Sequence, residues 1–574
     1  MWRRLTIVIG FLCFGSSGLW AQGGLTILHP LEGAQLPALK QVFVYGAAPV
    51  GSTVTINGQP LTTHPKGGYL VMAPVVPGAN LLTLEAVISA SETLKVERHF
   101  TVAEGFNPSP MTPLTLEKGS LEPAADLWVV PGDTLRVSAQ GSPKAAAEFS
   151  VGKMKRHIPM ADVSSNGHGL YEGRYVIQPG DAADDARVDI LLSRNGHEVK
   201  EKSPGRIRIE TGAVPRVGLV KDDVVAVRTG PGAGYDLFLY KGMKVKLTGK
   251  AGKEWRVQLS AIQSGWVKEE AIQELPRGTL PPQSVLSNMT MSAQTDGTLL
   301  RVPLDAVLAY RVDQSLDPML LTITLYGAVD KTDLIRYDPA DTLIRQVRWK
   351  QVTPDTCQIL IQPKFKKWWG FDVRYEGTTL IVDIRRPWTS TDLTGLVIAV
   401  DPGHGGSERG TQGPLGNWEK DVNLAVARVV RDTLAKAGAK PFLTRDTDMD
   451  VPLYQRPVLA AKQGAQLFVS IHCNASGVFE NPVLNNGFST YSYQPQSLAL
   501  ESAVHAQYVK LLPTLSDHGL YFADFAVCRT TLMPAILTEQ AFLIVPEQEQ
   551  LLIDPVFHHT VAKAILAGIR DFLK

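Results

Sequence analysis

Val397-Ile398-Ala399-Val400-Asp401-Pro402-Gly403-His404-Gly405-Gly406 decides the fold of the C-terminal part of this chain. Four apolar residues run into an acid, a proline, three glycines and a histidine. The uninterrupted apolar run reads as a strand buried on both faces of a parallel sheet. Asp-Pro-Gly then ends it, because that sequence favours a turn over a ladder. A sharp turn holds His404 in a glycine-rich loop at the strand's carboxyl end. Open α/β sheets place their ligand sites along that edge. Gly405 and Gly406 are expected to leave room there for a substrate or a metal.

Working outward, helical and strand patterns alternate. Lys420 to Ala437 has apolar residues at helical spacing and stops at Gly438. Pro441–Thr444 reads as a strand, Leu453–Gln463 as a helix and Leu467–His472 as a strand. Phe488–Tyr493 and Ala535–Glu539 are further strands, and Pro555–Leu573 is a closing helix. The expectation for residues 396–574 is an α/β three-layer domain.

Three candidate ligands gather at the expected carboxyl edge: His404 after the first strand, Glu419 at the start of the first helix, and His472 at the end of a later strand. Two imidazoles and a carboxylate suit zinc and leave a coordination position for water. Strand alternation puts Ser470, His472 and Asn474 on one face and Cys473 on the other, which makes Cys473 a packing thiol. Glu539 ends the apolar run Pro534–Thr538. A carboxylate buried there without a partner costs free energy, whereas beside a metal it can move protons. Each residue alone has a plainer reading. The chain has 12 histidines, most of them expected to be structural. Glu419 suits the positive end of a helix dipole, and Glu539 could be a surface carboxylate. The joint arrangement favours a site.

Residues 396–573 resemble the zinc-dependent N-acetylmuramoyl-L-alanine amidases of bacterial wall remodelling. The resemblance lies in Val400–Gly406, Glu419–Leu424, Leu443–Asp446, Ser470–Ala475 and Met533–Glu539, in that order. It implies that His404, Glu419 and His472 bind zinc and that Glu539 is the catalytic carboxylate. It also implies cleavage of the amide between the lactyl group of N-acetylmuramic acid and L-alanine of the stem peptide. Three departures occur: Leu537-Thr538 before Glu539, Cys473 after His472, and a partial match over Gln540–Leu543. None removes a ligand. Asn474 and Arg529 are candidate substrate-binding residues. For Arg529 a structural ion pair is the alternative to orienting a substrate carboxylate. Some relatives carry a long helical plug after the Ser-Ile-His motif. Here only 477–486 separates Ser476 from the next strand, and it includes Pro482 and three asparagines. A surface loop and an open zinc site, active without an activator, are therefore expected.

The remaining chain is β-rich. A secretory signal is expected over 1–21, with Arg3 and Arg4, an apolar Leu5–Leu12 and a cleavage site at Leu19-Trp20-Ala21. Cys13 lacks a lipobox, and no transmembrane anchor is expected after cleavage. The expected destination is the periplasm or the cell wall. Residues 25–104 look like an immunoglobulin-like sandwich, with Asn57-Gly58 as a hairpin turn. Residues 105–212 read as a β-domain of uncertain type. Residues 213–275 resemble bacterial SH3 domains of wall enzymes, with Trp255 and Trp266 as either groove or core. Residues 285–387 resemble an AMIN-type domain. Within it, Lys364–Trp369 is either a glycan surface or a strand edge blunted by lysines. Pro387 to Gly395, polar and Thr-rich, reads as the linker into the last domain.

Composition limits the partners. Lys+Arg total 57 against Asp+Glu 56, so no net field draws the chain to nucleic acid. After signal cleavage three cysteines remain, too few for a disulfide framework. Peptidoglycan is the expected substrate, and wall polymer or envelope proteins are the expected partners of the N-terminal modules. Two rivals to the amidase reading stand: a zinc peptidase cutting within the stem peptide, and a non-catalytic wall-binding scaffold.

Overall fold

A computed structural model describes residues 24–105, 107–164, 167–210 and 214–574. The expected signal over 1–21 lies outside the described residues. No helix among the described residues is long and apolar enough to cross a membrane.

The N-terminal region is built of strands throughout. Between Thr26 and Val102 a three-stranded and a five-stranded sheet enclose a core that includes Val42, Val44, Leu82, Leu84 and Phe100. The Thr53–Ile56 and Gln59–Leu61 strands are joined through Asn57 and Gly58, both at positive φ. That is the tight hairpin geometry the dipeptide favours. The outer face of this unit reaches the C-terminal domain, where Phe43 packs with Phe542, Ile544 and Val545.

The next two sequence blocks share one sheet. The short strand Leu127–Val129 pairs in parallel with His197–Ile209 and antiparallel with Lys244–Ala251. Hydrogen bonds thus run across the boundary expected near 212. Trp128 meets Trp255 edge-on at 5.7 Å. Trp255 is 7% exposed and belongs to the core, while Trp266 is half-buried. A three-residue strand carries too little pattern to reveal this join in the sequence.

Residues 284–385 form a five-stranded, a four-stranded and a two-stranded sheet, with Met319–Tyr326 and Thr379–Arg385 as inner strands of the larger two. Lys364–Trp369 is neither a glycan surface nor a strand edge. Trp368 and Trp369 are 1% and 3% exposed. Trp368 packs edge-on to Phe365 within its own block. Trp369 crosses into the core of the C-terminal domain, 5.4 Å from Phe572. Lys367 sits 4.4 Å over the Phe572 ring and donates to its carbonyl. Phe371 N–H donates to the Thr531 carbonyl (2.8 Å), and Arg385 to that of Ala465 (2.9 Å). Two adjacent tryptophans therefore join two cores.

In the C-terminal domain the strands are β1 (Val397–Pro402), β2 (Lys440–Leu443), β3 (Leu467–Asn474), β4 (Phe488–Ser492), β5 (Asp517–Phe522) and β6 (Ala535–Phe542). The helices are α1 (Glu419–Lys436), α2 (Gln455–Lys462), α3 (Leu498–Leu511), α4 (Pro546–Leu552) and α5 (Pro555–Leu573). The sheet order is β2-β1-β3-β6-β4-β5. β2, β1, β3 and β6 run parallel, and β4 is antiparallel to β6. One face is covered by α1, α3 and α5, whose apolar residues join Ile398, Val400, Val469 and Ile536 in one core. The other face carries α2 and the Val527–Met533 segment, packed on Ala399, Phe468 and Leu537. This is the expected three-layer arrangement.

α1 begins at Glu419 and buries Val422, Val426, Val430 and Leu434, a single stripe at i, i+4 spacing. Gly438 follows it at φ +95°. Three elements were not legible. α3 buries Glu501 while Leu498 and Val509 stay about half exposed, so its pattern does not segregate. β5 is an edge strand whose Leu520, Tyr521 and Phe522 are all exposed. α4 has only seven residues. Cys357, Cys473 and Cys528 are buried and unpaired, with Cys473 and Cys528 in the layers on opposite faces of the sheet.

Candidate metal centre

β1 does not break at Asp401. It continues through Pro402, whose partner in β3 is Ile471. Asp401 is fully buried and fully used: Thr444 Oγ1 and Arg456 Nη1 (2.9 Å) donate to Oδ1, and Ser470 Oγ (2.6 Å) to Oδ2. Arg456 also donates to the carbonyls of Pro402 (2.8 Å) and His404 (2.8 Å). Arg445, itself 2% exposed, donates to the carbonyls of Pro402 (3.0 Å), Gly403 (2.9 Å) and Lys420 (2.7 Å). Two buried guanidinium forks thus fix the loop that carries His404. Removing one partner from such a buried pair typically costs about 3–5 kcal/mol.

His404 has φ +59°, a left-handed conformation that a residue with a side chain rarely adopts. Gly403 is the glycine the site requires. A Cβ there would lie 2.2 Å from the His472 ring. Gly405 and Gly406 serve another purpose than the one expected. Their Cβ atoms would strike the Met449 carbonyl and Asp450, so their smallness accommodates the neighbouring loop, not a ligand.

The fold brings His404, Glu419 and His472 together, with one donor atom from each lying within 4.8 Å of the others. Glu419 Oε1 is 3.1 Å from His404 Nε2 and 3.0 Å from His472 Nδ1. Backbone N–H groups of Cys473 (3.3 Å) and Thr411 (3.0 Å) donate to the two Glu419 oxygens, and Asn423 Nδ2 donates to Oε1 (3.4 Å). Burial opposes charge on Glu419, but the hydrogen bonds and positive field of the two imidazoles outweigh it and hold its carboxyl well below the usual range. Burial lowers His472. Burial also works against charge on His404, yet its bond to Glu419 raises it. The proton that His404 attracts occupies an atom that a metal would use. Two imidazole nitrogens and one carboxylate oxygen, converging in a half-buried recess, fit a zinc ion.

Glu539 is Cα partner to His472 across β3–β6 and to Ser489 across β6–β4. Its Oε2 is buried and has no hydrogen-bond partner in the protein. Burial and then the charge of Glu419 push its carboxyl well above the ordinary range. A buried carboxylate oxygen without a partner thus lies on the strand next to His472, with hydrogen-bonding capacity that the protein does not use.

Asn474 sits nearby. Its Nδ2 donates to Ser489 Oγ (3.4 Å), and its Oδ1 accepts from Ala475 N–H (2.8 Å). It therefore anchors β3 to β4. Arg529 is engaged elsewhere: it donates to Asp524 Oδ1 and to the Asp524 carbonyl (3.0 Å), and lies 5.1 Å over the Tyr235 ring. These contacts favour the structural ion pair. Cys473 packs in the core, where burial raises its thiol well above the usual value. The 477–486 segment contains no helix. Asp401, Arg445, Arg456 and Asn423 were missed as site residues. Asp401 closes an apolar run and Asn423 stands between Val422 and Leu424, whereas Arg445 and Arg456 give no such signal.

The sequence profile of the N-acetylmuramoyl-L-alanine amidase family matches residues 398–571. The chain is 34% identical over 180 residues to the uncharacterized protein YqiI of Bacillus subtilis (strain 168), covering 31% of this chain and 86% of that one. It is 32% identical over 218 residues to the N-acetylmuramoyl-L-alanine amidase AmiA of Escherichia coli (strain K12), covering 31% and 75%. Among solved structures, N-acetylmuramoyl-L-alanine amidase AmiC2 of Nostoc punctiforme matches at 34% identity over 31% of this chain and 96% of that one, with TM-score 0.29. Through its residues 398–571, this chain belongs to the N-acetylmuramoyl-L-alanine amidase family.

Proposed function

We propose that the chain is a secreted peptidoglycan amidase whose zinc ligands are His404, Glu419 and His472 and whose proton-transfer group is Glu539. The observation that carries the proposal is the convergence of those three donor atoms within 4.8 Å, next to a carboxylate with a buried, unpartnered oxygen. The chemistry a zinc ion supplies when bound there is polarisation of the scissile carbonyl and acidification of water. Glu539 takes a proton from the attacking water at Oε2 and returns it to the leaving L-alanine nitrogen. Its environment suits both halves of that cycle: burial favours the protonated carboxyl, and positive charge on the ligand cluster would favour the carboxylate. Arg445 and Arg456 keep the His404 loop from relaxing, so the ligand geometry exists before substrate arrives.

The N-terminal units serve in this reading as wall-binding or positioning modules in the periplasm or cell wall. The 477–486 loop, free of helix, supports activity without a displacing partner. The test is digestion of intact wall by the full chain, with products identified, with and without chelator. Peptides bearing a free L-alanine amine, lost on chelation and restored by zinc, are expected. Cuts within the stem peptide would overturn the assignment of the bond.

A further inference from the structure

We propose that the Tyr491 hydroxyl is a second, metal-independent donor of the active site, one that hydrogen-bonds the scissile carbonyl oxygen of the substrate as negative charge builds on it. The inference rests on the amidase reading above and deepens it.

Tyr491 lies on β4, whose neighbour Ser489 is the Cα partner of Glu539. Residues two apart on a strand share a face, so Tyr491 is on the side that carries Ser489. A directed chain of hydrogen bonds runs along it. Asn474 Nδ2 donates to Ser489 Oγ (3.4 Å), and Ser489 Oγ donates to Tyr491 Oη (3.1 Å). The phenol oxygen is thus an acceptor within the protein, and its own proton has no acceptor among the described residues. In such a chain each bond polarises the next, which strengthens the terminal donor. Burial, and then the charge of Glu539, push the phenol up to about 12, so the proton stays on oxygen at neutral pH.

The ring is held in place. Tyr521 stacks on it at 5.3 Å and 21°, and Phe525 packs at 5.1 Å. One side of Tyr491 packs against the sheet core, and the residue is only partly buried. A fixed ring, a fixed hydroxyl and an unspent proton beside Glu539 are what a preorganised oxyanion donor needs. Asn474 thereby gains a role distinct from direct substrate contact, as the start of the chain that orients this donor.

The test compares Tyr491→Phe and Ser489→Ala with the wild-type full chain on a soluble muropeptide. Phenylalanine keeps both ring contacts and removes only the hydroxyl. The expected result is a kcat lower by roughly tenfold to a hundredfold, the range for a hydrogen bond to a charged group. KM, metal content and thermal midpoint should stay unchanged. Ser489→Ala should give a smaller fall in kcat, because the phenol remains but is less well oriented. Unchanged kcat in Tyr491→Phe would overturn the proposal. So would a fall that tracks loss of metal or of thermal stability, which marks a structural role. A rise in KM with kcat unchanged would place the hydroxyl on the ground state and overturn it as well. The identity of the products reports separately on the amidase reading, whereas the variant-to-wild-type ratio reports on Tyr491.

Discussion

Two groups of residues, the dispersed His404, Glu419 and His472 and the contiguous Lys364–Trp369, both stand out in the sequence for their chemistry, and the fold uses them in opposite ways. In the first, the charged and polar groups converge from three elements on one point, and a neighbouring carboxylate oxygen is left without a partner. In the second, the groups diverge. Trp368 enters one core, Trp369 enters another, and Lys367 is spent on a carbonyl and a ring. The lesson concerns convergence more than composition. The site holds its unpartnered oxygen beside converging donor atoms, whereas the unpartnered Trp368 Nε1 of the clamp is enclosed in an apolar core.

The contrast is broken most severely at the ligands. His404→Ala or His472→Ala should abolish both metal binding and turnover, since each removes one of three donors. Metal content per chain, measured on purified protein, decides this. A full complement of zinc in either variant would dissolve the distinction between the two regions.

Glu539→Gln comes next. It keeps shape and burial but cannot cycle a proton. Turnover should fall by at least ~10²-fold while zinc content stays at the wild-type level. Near-normal hydrolysis would move proton transfer to another group.

The clamp should respond in stability and not in chemistry. Trp369→Ala removes a buried ring from the core beside Phe572. Truncations of this kind cost about 3–5 kcal/mol. Denaturant unfolding should register that loss, while metal content of the folded fraction stays intact. For the same reason residues 396–574 alone should cleave soluble muropeptide yet unfold more readily than in the full chain. Equal midpoints for the two would mean that the contact is not energetically used.

The smallest expected effect is a pH slope. Glu549 accepts from Leu415 N–H (2.6 Å), Asn417 N–H (3.0 Å) and Asn417 Nδ2 (2.9 Å), bracing the loop that leads into Glu419. Burial nevertheless raises its carboxyl from 4.5 to about 7. The folded state therefore holds a proton that the unfolded state has released between those values. Its contribution to stability is fullest below about 4.5 and declines as pH rises toward 7. Glu549→Gln should flatten this part of the stability profile, read by unfolding midpoints across pH 4–8. An unchanged slope would assign the carboxyl an ordinary titration.

The sequence was legible where one segment carried its own signal. The apolar run before His404, the stripe of α1 and the apolar β3 and β6 all owe their form to burial along a single element. The three candidate ligands and Glu539 could be singled out because each follows, opens or ends such an element. Asp401 was misread as a strand breaker because a lone acid gives no sign of Thr444, Ser470 and Arg456, which satisfy it from three other elements. α3 and β5 were missed because their exposed apolar residues contradict the amphipathic pattern.

By itself, then, the sequence determined the three-layer domain, the candidate ligands and the family resemblance, since these depend on periodicity and on residue type at strand ends. Only the tertiary structure decided what the remaining polar and aromatic groups do. It joined two β-blocks through the Leu127–Val129 strand, sent Trp369 into a foreign core and returned Arg529 to Asp524. It also left the Tyr491 proton and Glu539 Oε2 unspent. The physical reason is that burial pattern is written along the chain, whereas the pairing of a polar group depends on which residues the fold sets beside it, five positions away for Arg529 and Asp524 and 69 for Asp401 and Ser470.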